Sequence, residues 1–529
     1  MSSELNHLLQ RAASGRMSRR DFVGRAGALG VSAAVAGTLL TTAARAEEPV
    51  KGGLLRAGMA GGESTNTLDP ALAASEVPYV VSMTYGDMLV DVNPNNELDY
   101  RVAEEIASSP DAKVWKFKIR QGVEFHNGKT LTADDVVATI KRHTDEKSQS
   151  GAFGIVKGIS GIKADGDMVT MTLDSANADF PYLMADYHLV MQPGGGMETP
   201  ADGIGSGAYK VTSFEPGVRI AFEKHANYWD KTVGHADQVE IIVINDNTAR
   251  TAALQSGQIN MMNRADPKII GLIKGAPGLS VQSAPGRGHY VFIMEINRPP
   301  YDNNDLRMAL KLAINRPEMV EKILGGYGKV GNDFPINAAY PFFDETIPQR
   351  EMDLAKAAEY YKKSGHDGSP LVLQVAEGAF PGAVEAAQLF QQTANAAGIP
   401  LEIKREPDDG YWTNVWNVAP FSASYWGGRP VQDQMYSTAY LSTADWNDTK
   451  FVDPEFDKLL IAARGELDPV KRKAMYSEMA YRVRDTGGVI LPMFNDFVEI
   501  VSDKLGGWLQ DPNGELMNGK ALVKTWLMA

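Results

Sequence analysis

Between residues 115 and 120 hydrophobic and polar positions alternate strictly. Trp115, Phe117 and Ile119 fall on one face, and Lys116, Lys118 and Arg120 fall on the other. A period of two predicts a strand with one buried face. Gln121-Gly122 turns the chain, Val123 and Phe125 resume the alternation, and Asn127-Gly128 supplies a tight turn of the hairpin type. Thr132 then stands where a helix N-cap belongs, with Asp134 and Asp135 in the first turn, at the positive end of the helix dipole. Further on, residues 239–244 form an apolar run broken only by Glu240, as expected of a strand covered on both faces. Residues 247–256 read as a helix ended by Gly257, and 258–262 as the next strand, which makes a parallel strand-helix-strand unit. An amphipathic helix over 352–363 stops at Ser364-Gly365, before a strand at 371–375. Another helix over 384–397 precedes a strand that starts at Leu401.

Residues 115–137 read W-K-F-K-I-R-Q-G-V-E-F-H-N-G-K-T-L-T-A-D-D-V-V. This block resembles the signature of the family 5 solute-binding proteins, the extracytoplasmic receptors of peptide, nickel and opine ABC importers. That signature runs W-x-F-x-L-R-x-G-V-x-F-x-D/N-G-x-P/T-L-T-A-x-D-V. Other segments resemble the family in the same order along the chain. They include the glycine-rich turn at 203–209, Asn227-Tyr228-Trp229, R-T-A-A-L-Q-S-G-Q-I-N at 250–260, the segment 300–316, and F-D-x-L-L with A-R-x-E-L-D-P-x-x-R within 451–472. The resemblance implies an α/β, two-lobed, type II periplasmic binding protein fold with an extra inserted subdomain in the first lobe. The expected division is lobe I from 47–84, 205–285 and 488–529, the inserted subdomain from 85–204, and lobe II from 286–487. Two crossings of the chain between lobes would form a hinge that closes around a ligand.

The N-terminus carries its own signal. Ser18-Arg19-Arg20-Asp21-Phe22-Val23 is a twin-arginine motif behind a polar n-region. A weakly hydrophobic run from about residue 26 to 40 and the small-x-small site Ala44-Arg45-Ala46 follow. The run is rich in Gly and Ala and too short to span a bilayer, for which about 20 apolar residues are needed. Residues 1–46 are therefore expected to be a signal peptide cleaved after Ala46, releasing a periplasmic protein. The chain of 529 residues contains no cysteine, so no lipobox, disulfide, thiol nucleophile or cysteine metal site exists. Residues 1–46 hold six arginines against Glu4 and Asp21, so cleavage would take the net charge from −14 to −18. An acidic surface without basic clusters argues against nucleic acid and anionic membranes as partners.

Several candidate chemistries fall away. Gly128-Lys129-Thr130 lacks the upstream glycine of a phosphate-binding loop, because Val123 occupies that position. The glycines at 203 and 205 follow a loop rather than a strand, so they read as a turn beside the cleft whose amides, Gly205 among them, meet the ligand. The eight histidines show no pair at metal-ligand spacing, and His126 and His225 read as structural. No G-x-S-x-G or H-E-x-x-H motif occurs. No cofactor, metal or catalytic residue is expected.

The informative segment is 421–434, F-S-A-S-Y-W-G-G-R-P-V-Q-D-Q. In dipeptide-type members of the family the corresponding Gly-Trp segment is followed closely by an aspartate that pairs with the peptide's α-amino group. Here Trp426 is followed by Gly427, Gly428 and Arg429, and Asp433 comes later. Glycines let a backbone approach a ligand closely, and a guanidinium forks onto a carboxylate. Arg429 is thus expected to hold a ligand anion and Asp433 a ligand amine, with Trp426 stacking on the ligand and Tyr425 beside it. Trp412 and Trp416 lie four apart in a helical-looking stretch and read as core. Ser64, Thr65 and Asn66 occupy the family's cleft-edge loop and are further candidate contacts.

The resulting expectation is a monomeric periplasmic substrate-binding protein. It captures a small zwitterionic solute, a short peptide or an opine-like amino-acid conjugate, and delivers it to an ABC permease and ATPase. The alternatives are a twin-arginine-exported enzyme, and a module that presents solute to a sensor or acts as a chaperone.

Overall fold

The computed structural model describes residues 49–528 except 146, 148 and 467; the signal features Arg19, Arg20 and Ala46 lie outside the described residues. Two long antiparallel strands, Leu279–Met294 and Val489–Ser502, form the spine of the main sheet. On one side of this pair lie the strands Phe421–Trp426, Leu371–Val375 and Leu401–Arg405. On the other lie Met261–Met262, Leu54–Met59, Gln238–Val243, Arg219–Lys224 and Tyr209–Glu215. One sheet therefore passes through both lobes of a type II periplasmic binding fold. The register of the spine shifts between Pro285 and His289 and again between Tyr290 and Phe292. Such irregularities bend a strand pair and let the sheet change direction between lobes.

The strand Gln238–Val243, the helix Asn247–Gln255 and the strand Met261–Met262 form the parallel unit expected from the apolar run, with Leu54–Met59 between the two strands. Glu240, the polar exception in that run, bonds to Arg56 at 2.9 Å and pairs with Arg219. Lobe II is built the same way. Its helix Leu354–Ser364 ends on Gly365 at φ 67°, in the left-handed region that favours glycine, and the strand Leu371–Val375 follows.

The block at 115–137 folds as its pattern requires. Strand Val114–Ile119 lies in a four-stranded sheet with Trp115, Phe117 and Ile119 buried. Val123 and Phe125 join the same core, and Gly128 takes φ 82° in the turn. The helix Ala133–Thr144 starts with a capping box, in which Asp135 N donates to Thr132 Oγ1 at 3.4 Å and Thr132 N to Asp135 Oδ2 at 2.9 Å. Each region keeps its own apolar core, centred on Leu55, Tyr209 and Ile241 in lobe I, on Phe292, Leu310 and Phe390 in lobe II, and on Phe117, Phe125 and Ile140 in the inserted subdomain. Separate cores let lobes move as rigid bodies. Among the described residues no helix is long and apolar enough to cross a membrane.

Candidate functional site

Between the lobes lies a cleft with about 1100 Å³ of empty space, part of it open to solvent. Lobe I lines it with Ser75, Glu76, Tyr79 and Glu515, and the inserted subdomain with Asp186 and Tyr187. The long strands contribute Tyr290 and Asn495, and lobe II contributes Trp412, Trp416, Trp446 and residues 425–430.

The lobe II wall begins where the strand Phe421–Trp426 leaves the sheet. Its antiparallel pairing with Leu279–Met294 sets Trp426 opposite His289 and Tyr425 opposite Tyr290. The indoles of Trp416 and Trp426 both donate to Asp448 Oδ2 at 3.0 Å, and Trp446 packs edge-on against both rings. Burial pushes the Asp448 carboxyl up to about 6, against the two indole donors that favour its charged form. Trp412 and Trp416, expected to be core, are nine-tenths buried and also face the cleft. The stretch is helical only over Tyr411–Asn414.

Beyond Trp426 the chain passes through Gly427 and Gly428. A Cβ on Gly428 would lie 2.3 Å from Arg287 Cβ, so the close approach requires glycine. Arg429 then turns into the cleft and is 7 % exposed. Its main-chain N–H donates to the Tyr340 hydroxyl at 3.1 Å and its Nη1 to the Gly428 carbonyl at 3.1 Å. The guanidinium carbon lies 5.9 Å from the rings of both Tyr187 and Trp426. Nε has no partner, and among the described residues no carboxylate forms an ion pair with Arg429. The nearby Asp186 is occupied, bonding to the His188 ring at 2.5 Å and to Gln434 Nε2 at 3.2 Å. Burial works against the Asp186 carboxylate, but His188 and Arg429 hold it below the ordinary carboxylate range. A buried guanidinium with a free donor is suited to an anion entering the cleft.

The lobe I wall is acidic. Arg264 donates through Nε to Glu515 Oε1 at 2.8 Å, and Asn263 Nδ2 donates to Glu515 Oε2 at 2.8 Å. Glu76 Oε2 stands 3.8 Å from Arg264 Nη2, while Glu76 Oε1 and Ser75 Oγ have no hydrogen-bond partner. Burial, then the charge of Glu515, pushes the Glu76 carboxyl well above its ordinary value. Arg264 also lies over the Tyr425 ring at 4.0 Å, so this wall meets the tryptophan wall there.

Three expectations about individual residues change. Asp433 does not face the cleft. It lies in the first turn of the helix Gln432–Ala439, 0 % exposed, and accepts from Arg464 Nε at 2.6 Å. Helical periodicity turns Asp433 away from the cleft while Gln434 lines it. Gly205 is also outside the cleft. Its amide donates to His126 Nδ1 at 3.3 Å, its carbonyl accepts from His126 N at 2.9 Å, and a Cβ there would meet the Tyr85 carbonyl at 2.4 Å. It joins the glycine-rich turn to the hairpin, and burial lowers His126 to about 4, leaving the ring neutral in this contact. Ser64, Thr65 and Asn66 bind protein instead of lining the cleft. Ser64 Oγ donates to Asp409 Oδ1 at 2.9 Å, the hydroxyls of Thr65 and Thr413 meet at 3.1 Å, and Asn66 Oδ1 accepts from Glu63 N at 2.8 Å. Glu63 Oε1 accepts from Trp412 N at 3.0 Å. The loop is thus a contact between lobes at the edge of the cleft.

Sequence reasoning missed Ser75 and Glu76. The available signal was an acidic residue opening a helix, Glu76–Tyr85, that is otherwise uncharged and buried along nearly its whole length.

Residues 97–448 match the model of the bacterial extracellular solute-binding proteins, family 5. The chain is 23 % identical over 440 residues to the glutathione-binding protein GsiB of Escherichia coli, covering 78 % of this chain and 84 % of that protein. It is 25 % identical over 426 residues to the di/tripeptide-binding protein 3 of Pseudomonas aeruginosa, with coverages of 73 % and 79 %. Among solved structures, the periplasmic binding protein DppA of Helicobacter pylori in complex with the peptide STSA superposes with a TM-score of 0.82 at 20 % identity, covering 91 % of this chain and 99 % of that one. The A. tumefaciens protein AgaA in complex with agropinic acid superposes with a TM-score of 0.81 at 21 % identity, with coverages of 90 % and 99 %.

Proposed function

The chain belongs to the family 5 bacterial extracellular solute-binding proteins, and from that premise we propose that it is the periplasmic receptor of an ABC importer, with a small zwitterionic solute as cargo. A short peptide or an opine-like amino-acid conjugate is the ligand class. The lobes close on it about the two long strands, and the loaded receptor docks on the permease and its ATPase. No bond in the ligand is made or broken. Export by the twin-arginine route, cleavage after Ala46 and a monomeric mature protein belong to the same reading, supported by Arg19, Arg20 and the Ala44-Arg45-Ala46 site.

One observation carries the ligand class: Arg429 is nine-tenths buried in the cleft, its Nε is free, and no carboxylate of the described residues pairs with it. Leaving a guanidinium desolvated in this way is unfavourable until an anion arrives. The test is titration calorimetry with peptides and opines and their carboxyl-amidated derivatives. Arg429→Ala should weaken binding of the free acid by about 2–5 kcal/mol and abolish the preference for acid over amide. Arg429→Lys should recover part of the loss, since it restores charge without the bidentate fork. Affinity of the alanine variant within about twofold of wild type, only about 0.4 kcal/mol, would remove the argument for an anion at this position.

A further inference from the structure

The lobe I wall of the cleft sets two carboxyl groups against one guanidinium. Arg264 has one positive charge and faces both Glu76 and Glu515. Glu515 takes the shorter bond, and both its oxygens are used, by Arg264 and Asn263. Glu76 is left with a 3.8 Å approach to the same guanidinium and an oxygen that meets no donor, although the residue is 7 % exposed. The Ser75 hydroxyl beside it is the N-cap of the helix Glu76–Tyr85, yet it makes no capping bond and has no other partner. Both residues line the cleft. Two adjacent buried oxygens without donors, on an acid-rich wall, form an incomplete coordination set.

We propose that Glu76 Oε1 and Ser75 Oγ form the subsite for the ligand's ammonium group, on the lobe I wall of the cleft that Arg429 also lines. The proposal rests on the zwitterionic reading above and gives its second pole a place. It also replaces Asp433, whose carboxylate is held by Arg464. An ammonium group supplies three donors, enough to satisfy both free oxygens, and its charge balances the carboxylate that Arg264 does not neutralise. An anion in the same place would meet Glu76 and Glu515 together and is disfavoured. The other titratable groups packed around Glu76 do not supply the missing charge. Glu499 is pushed up to about 8 by burial and by Glu515, Tyr79 is raised by burial and by Glu76, and Tyr290 and Tyr425 are raised by burial. Arg250, the other cation nearby, donates to the carbonyls of Asn263 and Arg264 and faces Glu515. The rings of Tyr79 and Tyr187 meet edge to face at 4.7 Å, with Tyr79 in the electrostatic reach of both Glu76 and Arg429. Both tyrosines line the cleft together with Glu76 and Arg429, so the ligand also meets aromatic surface.

The test uses the full-length mature protein and three probes, the dipeptide Met-Leu, glutathione and mannopinic acid. The tightest binder is then compared with its N-acetyl derivative on wild type, Glu76→Gln and Glu76→Asp. Acetylation should weaken wild-type binding about 30-fold or more, and Glu76→Gln should weaken the parent ligand by a similar factor. The glutamine variant should then bind parent and acetyl derivative within about threefold of each other, with Glu76→Asp intermediate because it keeps the charge one methylene farther back. Thermal unfolding of each variant checks that the fold is intact. An acetyl derivative that binds wild type as well as its parent would overturn the subsite, as would full discrimination retained by Glu76→Gln. Either result leaves the Arg429 reading standing. If none of the three probes binds wild type, the zwitterionic reading falls, and the subsite with it.

Discussion

Two buried ionic clusters, one in each lobe, have opposite proportions. In lobe II one fully buried carboxylate, Asp333, sits between two guanidiniums, of which Arg350 also reaches the exposed Asp485. Arg316 Nη2 lies 2.7 Å from both of its oxygens, Arg350 Nη1 lies 2.6 Å from Oδ2, and Leu491 N donates to Oδ1 at 2.9 Å. In lobe I a single guanidinium, Arg264, is shared by Glu76 and Glu515. Burial opposes ionisation of Asp333, but Arg316 and Arg350 overcome it and draw the carboxyl down to about 2, whereas Glu76 is driven up by burial and by Glu515. The first cluster satisfies both carboxylate oxygens and lies away from the cleft. The second opens onto the cleft and leaves an oxygen unmatched. A buried ionic group with its partners complete serves the fold, while one left short of a counter-charge makes room for a ligand.

The comparison breaks most visibly at Asp333. Asp333→Asn leaves the buried Arg316 without its counter-charge and Arg350 with Asp485 alone, and should cost about 3–5 kcal/mol in urea unfolding. At temperatures where the variant stays folded, its ligand affinity should remain within about twofold of wild type. A loss below about 1 kcal/mol would mean that the cluster is not what holds this part of lobe II.

Acid titration separates the clusters by sign. Asp333 has a folded pKa below its unfolded value near 3.9. Its contribution, about 2 kcal/mol, is therefore complete above that value and is lost as pH falls through about 2. Glu76 has the reverse sign. Its folded pKa is raised, so the ligand-free folded state binds the proton more tightly than the unfolded chain, and stability declines as pH rises from 4.5 through the folded value. Unfolding measured between pH 7 and pH 3 should show wild type gaining on Glu76→Gln as pH falls toward 5, followed by a loss common to both below about pH 4. A constant gap between the two proteins across that range would show that Glu76 does not titrate differently on folding.

At neutral pH and without ligand, Glu76→Gln should be neutral or stabilising by up to about 1 kcal/mol, because it relieves the crowding of two carboxylates on one arginine. Thermal unfolding reads this directly, and a clear destabilisation would make Glu76 a partner of the fold rather than of the ligand. The smallest effect is expected at the cleft edge. Ser64→Ala removes the hydroxyl bond to Asp409 across the lobes and should shift the balance toward the open form by less than about tenfold. Small-angle scattering would register it as a slightly larger radius of gyration at subsaturating ligand.

Legibility varied with how local the determining physics is. Strict alternation at 115–120, the turn at Asn127-Gly128 and the cap at Thr132 each depend on a few neighbouring residues, and each has its expected structure. Arg429 was singled out because it follows Trp426, Gly427 and Gly428 where the family resemblance expects a ligand-binding segment, and it does line the cleft. Asp433 was misjudged because nothing nearby reveals that Arg464, 31 residues away, reaches it from another helix. Ser64, Thr65 and Asn66 were expected at the ligand because they are polar and near the cleft. The partners of Ser64 and Thr65, Asp409 and Thr413, lie nearly 350 residues further along the chain, while Asn66 accepts from Glu63 within the loop.

From the sequence alone came the alternating strand and helix segments, the family signature and the arginine placed for the cleft. These depend on spacing, on turn chemistry and on residue types that only certain backbone positions accept. The tertiary structure decided which carboxylates line the cleft with that arginine. Asp433, Glu76, Glu515, Asp186 and Asp333 are equivalent as letters, each an acid that must be ionised, paired or neutral. Their roles follow from how many guanidiniums the fold brings to each and which of these residues it sets along the cleft. Those counts come from contacts between segments far apart in the chain, and no local pattern encodes them.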